Sequence, residues 1–251
     1  MSLSRFTPGA APAITLPEEA AMYVLHYAPD NASLIVRLVL TELNQPFETA
    51  LVDRRVRAQD GAAYRALNPN GLIPALETPG GAIFETGAIL LWLSERHGAL
   101  APQPGDPARG DFLKWLFFVS NTLHADARLL FYGERHAGRD ADVAAFRDAT
   151  RGRIASHLDL VEAMAAGQPA WFMPDAPSVL TLYVCGLLRW LALYPVEIAG
   201  WLDLAGYPSL RAVAAAMECR PAARKAALAE GLGDTIFTQP SHARPPEGSA
   251  T

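Results

Sequence analysis

Three short constellations in this sequence gather residue types that hold or activate small polar molecules. The first is Ile73-Pro74, two residues beyond Asn70-Gly71. An X-Pro bond costs only about 0.5–1 kcal/mol in the cis form. A cis bond here turns the Ile73 backbone N–H and C=O outward, where they can pair with an extended ligand as an added strand would. An ordinary trans turn leading into a strand is the alternative. The second is Glu85-Thr86, where a strand-like run gives way to a helical pattern. First-turn N–H groups and the positive end of the helix dipole suit an anion. The Glu85 carboxylate suits an ammonium, so the pair matches an amino-acid zwitterion. Helix capping is the competing role, and the two can coexist. The third is the set Tyr27, Asn31 and Ser33, phenol, amide and hydroxyl groups at the end of one strand-like run and the start of a helical one. Asn31 and Ser33 are also strong N-capping types.

Other chemistries are excluded by type and spacing. The only cysteines, Cys185 and Cys219, form no Cys-x-x-Cys pair, which excludes a disulfide framework, a cysteine-rich zinc site and a dithiol redox motif. His26, His97, His136, His157 and His242 show no metal-ligand spacing and are read as non-functional, so no metal is expected. The chain has 251 residues, 21 Lys+Arg against 26 Asp+Glu, and a formal charge of −5. It therefore has no basic excess for a nucleic-acid surface. The most apolar stretch, 179–196, contains Arg189 and Pro195, so a buried helix is expected there and no membrane span. A composition 51% hydrophobic and 19% charged demands a packed core.

The elements that must position these groups can be read from periodicity and breakers. Residues 22–27 read as a strand, Leu34, Ile35, Leu38, Val39 and Leu43 as a helix, and 47–52 as a second strand. Residues 75–77 and 82–84 are short strands joined by the Pro79-Gly80-Gly81 turn, and a helix follows over 88–97. Three prolines and a glycine within 101–109 mark a linker. Beyond it helices are expected over 112–131, 143–164, 178–193, 209–217 and 222–229. Residues 1–21 read as a flexible extension in the cytoplasm rather than a signal peptide, because Pro8, Pro12 and Pro17 interrupt them. The Pro/Ser-rich end, 234–251, reads as a flexible tail.

The run Asn68-Pro69-Asn70-Gly71-Leu72-Ile73-Pro74-Ala75-Leu76, followed by Phe84-Glu85-Thr86 at a helix start, resembles the glutathione site of the glutathione S-transferase family. Leu123-His124, Tyr207-Pro208-Ser209-Leu210, Arg220-Pro221 and Glu230-Gly231-Leu232 fit the bacterial beta-like group, in order, over about 22–232. The resemblance implies an α/β thioredoxin-like N-terminal domain, 22–98, then a linker, 99–109, and an all-α helical-bundle domain, 110–233. It implies glutathione as co-substrate, a small apolar electrophile, partly lined by 112–132, as second substrate, and a homodimer. Glutathione would be held at Leu72, Ile73, Pro74, Glu85, Thr86 and His124.

Such an enzyme ionises the ligand thiol. A thiol with pKa near 8.5 is only about 3% ionised at pH 7, and lowering it by ~2 units takes about 2.7 kcal/mol. A helix dipole supplies roughly 0.3–1 kcal/mol and a hydrogen bond to a charged group about 1.5–3. A donor at the start of the first helix is therefore expected, with Ser33 the first choice, Asn31 the second and Tyr27 the third. Three positions depart from the group's pattern. Ala32 stands where the beta-like group has cysteine, which removes mixed-disulfide chemistry. Leu72 stands where Lys or Gln often meets the glycyl carboxylate, and Ala125 where a lysine follows the histidine. A noncatalytic glutathione-binding or protein-interaction module, or a glutathione-dependent isomerase or dehalogenase, is the alternative. Ser178 and Thr181 resemble the family's capping box, with Thr181 replacing the usual Asp.

Overall fold

The computed structural model describes residues 23–138 and 142–250; the expected extension over 1–21 lies outside them. The chain starts with β1 (Tyr23–Tyr27), α1 (Ser33–Glu42) and β2 (Phe47–Leu51). Two single 3₁₀ turns and the short α2 (Ala62–Leu67) lead to β3 (Ala75–Thr78), β4 (Gly81–Phe84) and α3 (Thr86–His97). The strands form one sheet in the order β2-β1-β3-β4. β1 and β2 are parallel, with Tyr27 beside Leu51. β3 runs antiparallel to β1, so Ala75 lies beside His26. The turn before β3 and the loop after β1 therefore meet at one end of the sheet.

Strand alternation sorts the two faces. Tyr23, Leu25 and Tyr27 are buried, whereas Val24 and His26 are only half-buried. On the first face α1 is enclosed on all sides: Ser33 through Leu40 are all buried. Gly186, on the far side, makes this possible, because a Cβ there would come within 2.9 Å of Ile35. The second face carries a small cluster of Val52, Tyr64 and Ala75 beneath α2.

The expected linker is partly structured. The Val179 N–H donates to the Leu100 carbonyl at 2.8 Å, and α4 (Arg109–Phe118) already starts at Arg109. The single helix expected over 112–131 is interrupted by a π turn, Val119–Leu123, before α5 (His124–Phe131). Next come α6 (Gly133–His136), α7 (Val143–Ala166), α8 (Val179–Leu193), α9 (Pro208–Glu218) and α10 (Pro221–Glu230). α8 is buried at nearly every position, as its apolar sequence requires, and starts with the anticipated capping box of Ser178 and Thr181. No helix among the described residues is long and apolar enough to cross a membrane.

The chain end differs from the sequence expectation. Composition marks 234–251 as flexible, yet Ile236 and Phe237 are fully buried and 238–250 runs back over the molecule. Glu218 accepts hydrogen bonds from the Phe237 and Thr238 N–H groups, each at 2.6 Å. The Arg244 N–H donates to the Gly231 carbonyl at 2.8 Å. Buried donors and acceptors elsewhere, rather than local periodicity, order this segment.

Candidate functional site

The turn before β3 is built around Asn68. Its Nδ2 donates to the Leu72 carbonyl at 2.7 Å, its Oδ1 accepts from Asn70 N–H at 3.1 Å, and its carbonyl accepts from Gly71 N–H at 2.9 Å. The Tyr64 hydroxyl donates to the same Leu72 carbonyl at 2.7 Å. Gly71 has φ +63°, and a Cβ there would lie 2.9 Å from the Gln59 carbonyl, so only glycine fits. The Ile73–Pro74 bond is cis, the form weighed from the sequence against a trans turn. Neither the Ile73 N–H nor its C=O has a backbone partner among the described residues. The Leu72 side chain projects outward, while its carbonyl is occupied by Asn68 and Tyr64. Asn68 opens the run quoted from the sequence, whereas Tyr64, which also holds this turn, was not singled out there.

Across the sheet end, Glu85 precedes α3 with φ +70° and ψ +114°, a backbone conformation rare for any residue with a side chain. Its side chain makes no capping hydrogen bond and is exposed. Capping alone does not account for this carboxylate. Strain of this kind persists where the surroundings hold it, and it concentrates at ligand sites. Thr86, the first residue of α3, is buried. At Gly87, one residue on, a Cβ would meet Ser120 Oγ at 2.9 Å, so α3 and the π turn approach closely here.

His124 follows that π turn. Its Nδ1 is 2.7 Å from the Tyr183 hydroxyl, and its ring lies over Trp190 with centroids 6.1 Å apart. Burial pushes the Tyr183 phenol far above its usual range, only partly offset by a hydrogen bond from Ser120. The phenol thus keeps its hydrogen, and it shares one hydrogen bond with Nδ1. Burial, and secondarily the Arg128 guanidinium, push the imidazole pKa down to about 4. His124 is then neutral at pH 7, its Nδ1 paired with the Tyr183 hydroxyl.

The β1–α1 loop reorders the candidate thiol donors. Ser33, the first choice from sequence, is fully buried; its hydroxyl donates to the Ala28 carbonyl at 3.0 Å and accepts from Ala28 N–H at 3.3 Å. It staples the loop and has no hydrogen to offer a ligand. The Tyr27 hydroxyl donates to the Glu247 carboxylate, and burial followed by Glu247 pushes its pKa well above the usual phenol range. Asn31 is half-buried. Its Oδ1 accepts from Ala32 N–H at 2.7 Å, which fixes the amide and leaves both Nδ2 hydrogens without a partner among the described residues.

A buried polar node that sequence reasoning missed anchors this loop. Asp30, at φ +50°, accepts from Arg189 Nε at 2.7 Å and Nη2 at 2.8 Å. It also accepts from Trp190 Nε1 and the Tyr194 hydroxyl, each at 2.9 Å. Its own N–H donates to Glu230 Oε2 at 2.8 Å, and Glu230 Oε1 accepts from Arg37 at 2.6 Å. Asp30 reads in sequence as a turn residue beside Pro29. Its partner lies 159 positions away, beyond the reach of any local signal.

Ile73, Pro74, Glu85, Thr86, His124 and Asn31 are thus carried by elements that meet at one end of the sheet, with Ser33 and Tyr27 turned to structural work. Among the described residues no group of three or more His, Cys, Asp or Glu is placed to hold a metal.

Comparison with known proteins gives this arrangement a family. Residues 25–104 match the model of the glutathione S-transferase N-terminal domain. Glutathione S-transferase GstB of Escherichia coli strain K12 is 30% identical over 61% of this chain and 78% of its own length. A maleylpyruvate isomerase from a Ralstonia species is 29% identical over 83% of this chain and 97% of its own. A sphingomonad glutathione S-transferase solved with glutathione superposes with a TM-score of 0.68 at 30% identity, covering 84% of this chain and all of that one. About one sixth of this chain has no counterpart there. Thioredoxin-like sheet, helical second half and the turn-and-helix site together are that family's architecture, and the chain belongs to the glutathione S-transferase family.

Proposed function

We propose that this protein is a glutathione transferase whose thiol-activating donor is the Asn31 side-chain amide. Glutathione would lie with its γ-glutamyl ammonium on Glu85 and its γ-glutamyl carboxylate on the first-turn amides of α3 and Thr86. Its cysteinyl backbone would pair with the free N–H and C=O of Ile73. The free Glu85 carboxylate on its strained backbone is the observation that carries this reading, because a scaffold gains nothing from that strain.

The thiol would then fall beside the start of α1, where Asn31 Nδ2–H donates to sulfur as the S–H proton leaves to solvent. The thiolate attacks an electrophilic carbon, a C–S bond forms, and the leaving group departs with its electron pair. The electrophile would sit between the β1–α1 loop and the α4–α5 side, as an apolar compound, and the protein would act in the cytoplasm as a homodimer. The similarity to a maleylpyruvate isomerase supports a second reading, in which the thiolate adds reversibly to a double bond and leaves again after rotation.

Calorimetric titration with glutathione tests the reading. The wild type and Asn31→Ala are expected to bind comparably, Glu85→Ala at least tenfold more weakly. Asn31→Ala is expected to raise the pKa of the bound thiol by about one unit, the equivalent of 1.36 kcal/mol. Binding unaffected by Glu85→Ala would remove the zwitterion site, and an unchanged thiol pKa would remove Asn31.

A further inference from the structure

We propose that the C-terminal segment 234–250 is a strap that sets the position of the β1–α1 loop, with Glu247 as the positioning residue that fastens it. This rests on the reading that Asn31 in that loop activates the thiol.

The strap grips the loop from two sides. At its start, the Ile236 and Ser241 carbonyls accept from Arg189 Nη1 and Nη2 at 3.1 and 2.9 Å, the same guanidinium that holds Asp30. The His242 ring packs on Tyr194, whose hydroxyl donates to Asp30. One fully buried arginine thus joins the strap to the residue immediately before Asn31. At the far end, the Tyr27 hydroxyl donates to Glu247, just where β1 ends. Gly248 then lies in the notch between Pro29 and Leu51. With φ +71° and a would-be Cβ 2.8 Å from the Leu51 side chain and 3.3 Å from Pro29, any side chain at this position is strained. Arg54, just beyond β2, closes the strap by donating to the Ala250 carbonyl at 2.6 Å. Tyr27, Pro29, Asp30, Leu51 and Arg54 are the loop itself and its two flanks.

Ile236, Ser241, Glu247 and Ala250, the strap residues that bond the loop's supports and flanks, make no hydrogen bond to Ile73, Pro74, Glu85 or Thr86. Its effect is therefore expected on the loop and the thiol, with glutathione affinity nearly unchanged. The buried Asp30 node fixes the middle of the link Pro29-Asp30-Asn31, the strap adds its hold at Tyr27 and Pro29, and a donor misplaced by an ångström loses most of its effect.

The test compares the full chain with a truncation after residue 243, which keeps Ile236, Phe237 and Ser241, and with Glu247→Ala, Glu247→Gln and Gly248→Val. The first readout needs no ligand: amide hydrogen exchange of the peptide spanning 28–33. The Ala28 and Asp30 amides, bonded to Ser33 and Glu230, should exchange at least tenfold faster in the truncation, Glu247→Ala and Gly248→Val. Glu247→Gln keeps an acceptor oxygen for Tyr27 and should behave as the full chain, which an effect of charge would not allow. The second readout is the pH titration of bound glutathione thiolate, expected to shift upward by about one unit in the same three variants. Unchanged exchange overturns the strap. Faster exchange with an unshifted thiol overturns its part in activation. Should the truncation fail to fold, Glu247→Ala and Gly248→Val give both readouts, with Glu247→Gln as their control. A full chain that binds no glutathione defeats the transferase reading alone, since the exchange measurement still judges the strap.

Discussion

A neutral histidine at pH 7 is the titratable consequence of how α5 starts. His124 is neutral because the ring is enclosed by Trp190 and Tyr183 and faces the Arg128 charge. Its folded pKa, about 4, lies below the unfolded value near 6.5. Between these values the unfolded chain binds the extra proton and the folded chain refuses it, so stability rises with pH across that window. The contribution is full above about pH 6.5 and is lost as pH falls toward 4. Urea denaturation at pH 7.5, 5.5 and 4.5 should show this loss, and His124→Gln should flatten it. NMR titration of the ring should find it still neutral at pH 5.5; a ring already charged there would mean that burial does not control it. Single-residue chemistry was only half legible in the sequence. Glu85 and Ile73 could be picked out because a turn signal and a helix start flank them. The partner of the Ser33 hydroxyl, the Ala28 carbonyl, is invisible in the sequence until the loop is closed.

Elements were more legible than residues, because periodicity is a property of many side chains at once. α1, β1, β2 and α8 lie where alternation and apolar spacing put them. The π turn at Val119–Leu123 carries no such signal, since it displaces the pattern by one residue inside an apolar run. The capping box at Ser178 was legible because it is wholly local. Ser178 Oγ accepts from Leu180 and Thr181 N–H at 3.2 and 3.4 Å, and Thr181 Oγ1 accepts from Ser178 N–H at 3.1 Å. Replacing the usual acid by threonine therefore keeps both halves of the box. α8 is the helix on which both halves of the molecule pack, and its first turn is buried, so water cannot replace the lost acceptor. Ser178→Ala is expected to cost about 1–2 kcal/mol of folding free energy, the upper part of the capping range. Chemical denaturation measures this, and a loss below about 0.5 kcal/mol would show that the neighbouring amides find other partners. Thiol activation in the folded variant should not change.

At the scale of the whole molecule, the two halves are joined by charge as well as by apolar packing. Arg189 is fully buried and Asp30 nearly so, and their bidentate contact spans from the first loop of the sheet domain to the central helix of the bundle. Burying such a pair gains little over apolar residues of the same volume, but breaking it strands a charge and costs about 3–5 kcal/mol. Asp30→Asn is the informative substitution, because asparagine tolerates φ near +50° and keeps the shape while removing the charge. It is expected to lose about 3 kcal/mol or more, since Arg189 keeps the two carbonyls of the strap and one amide oxygen but no carboxylate, and the new amide N–H group faces other donors. Arg189→Met removes the stranded charge but also frees those carbonyls and leaves Asp30 uncompensated, so it should cost a comparable amount. The double variant should then cost clearly less than the sum of the two, with a coupling of at least ~1 kcal/mol. Additive losses would mean that the residues act separately, and that the loop is held by Glu230 and apolar packing instead. A coupling of the expected size would make the loop, the bundle and the chain end one cooperative unit. Denaturant transitions followed by exchange of the loop amides and by tryptophan fluorescence should then coincide in the wild type and separate in Asp30→Asn.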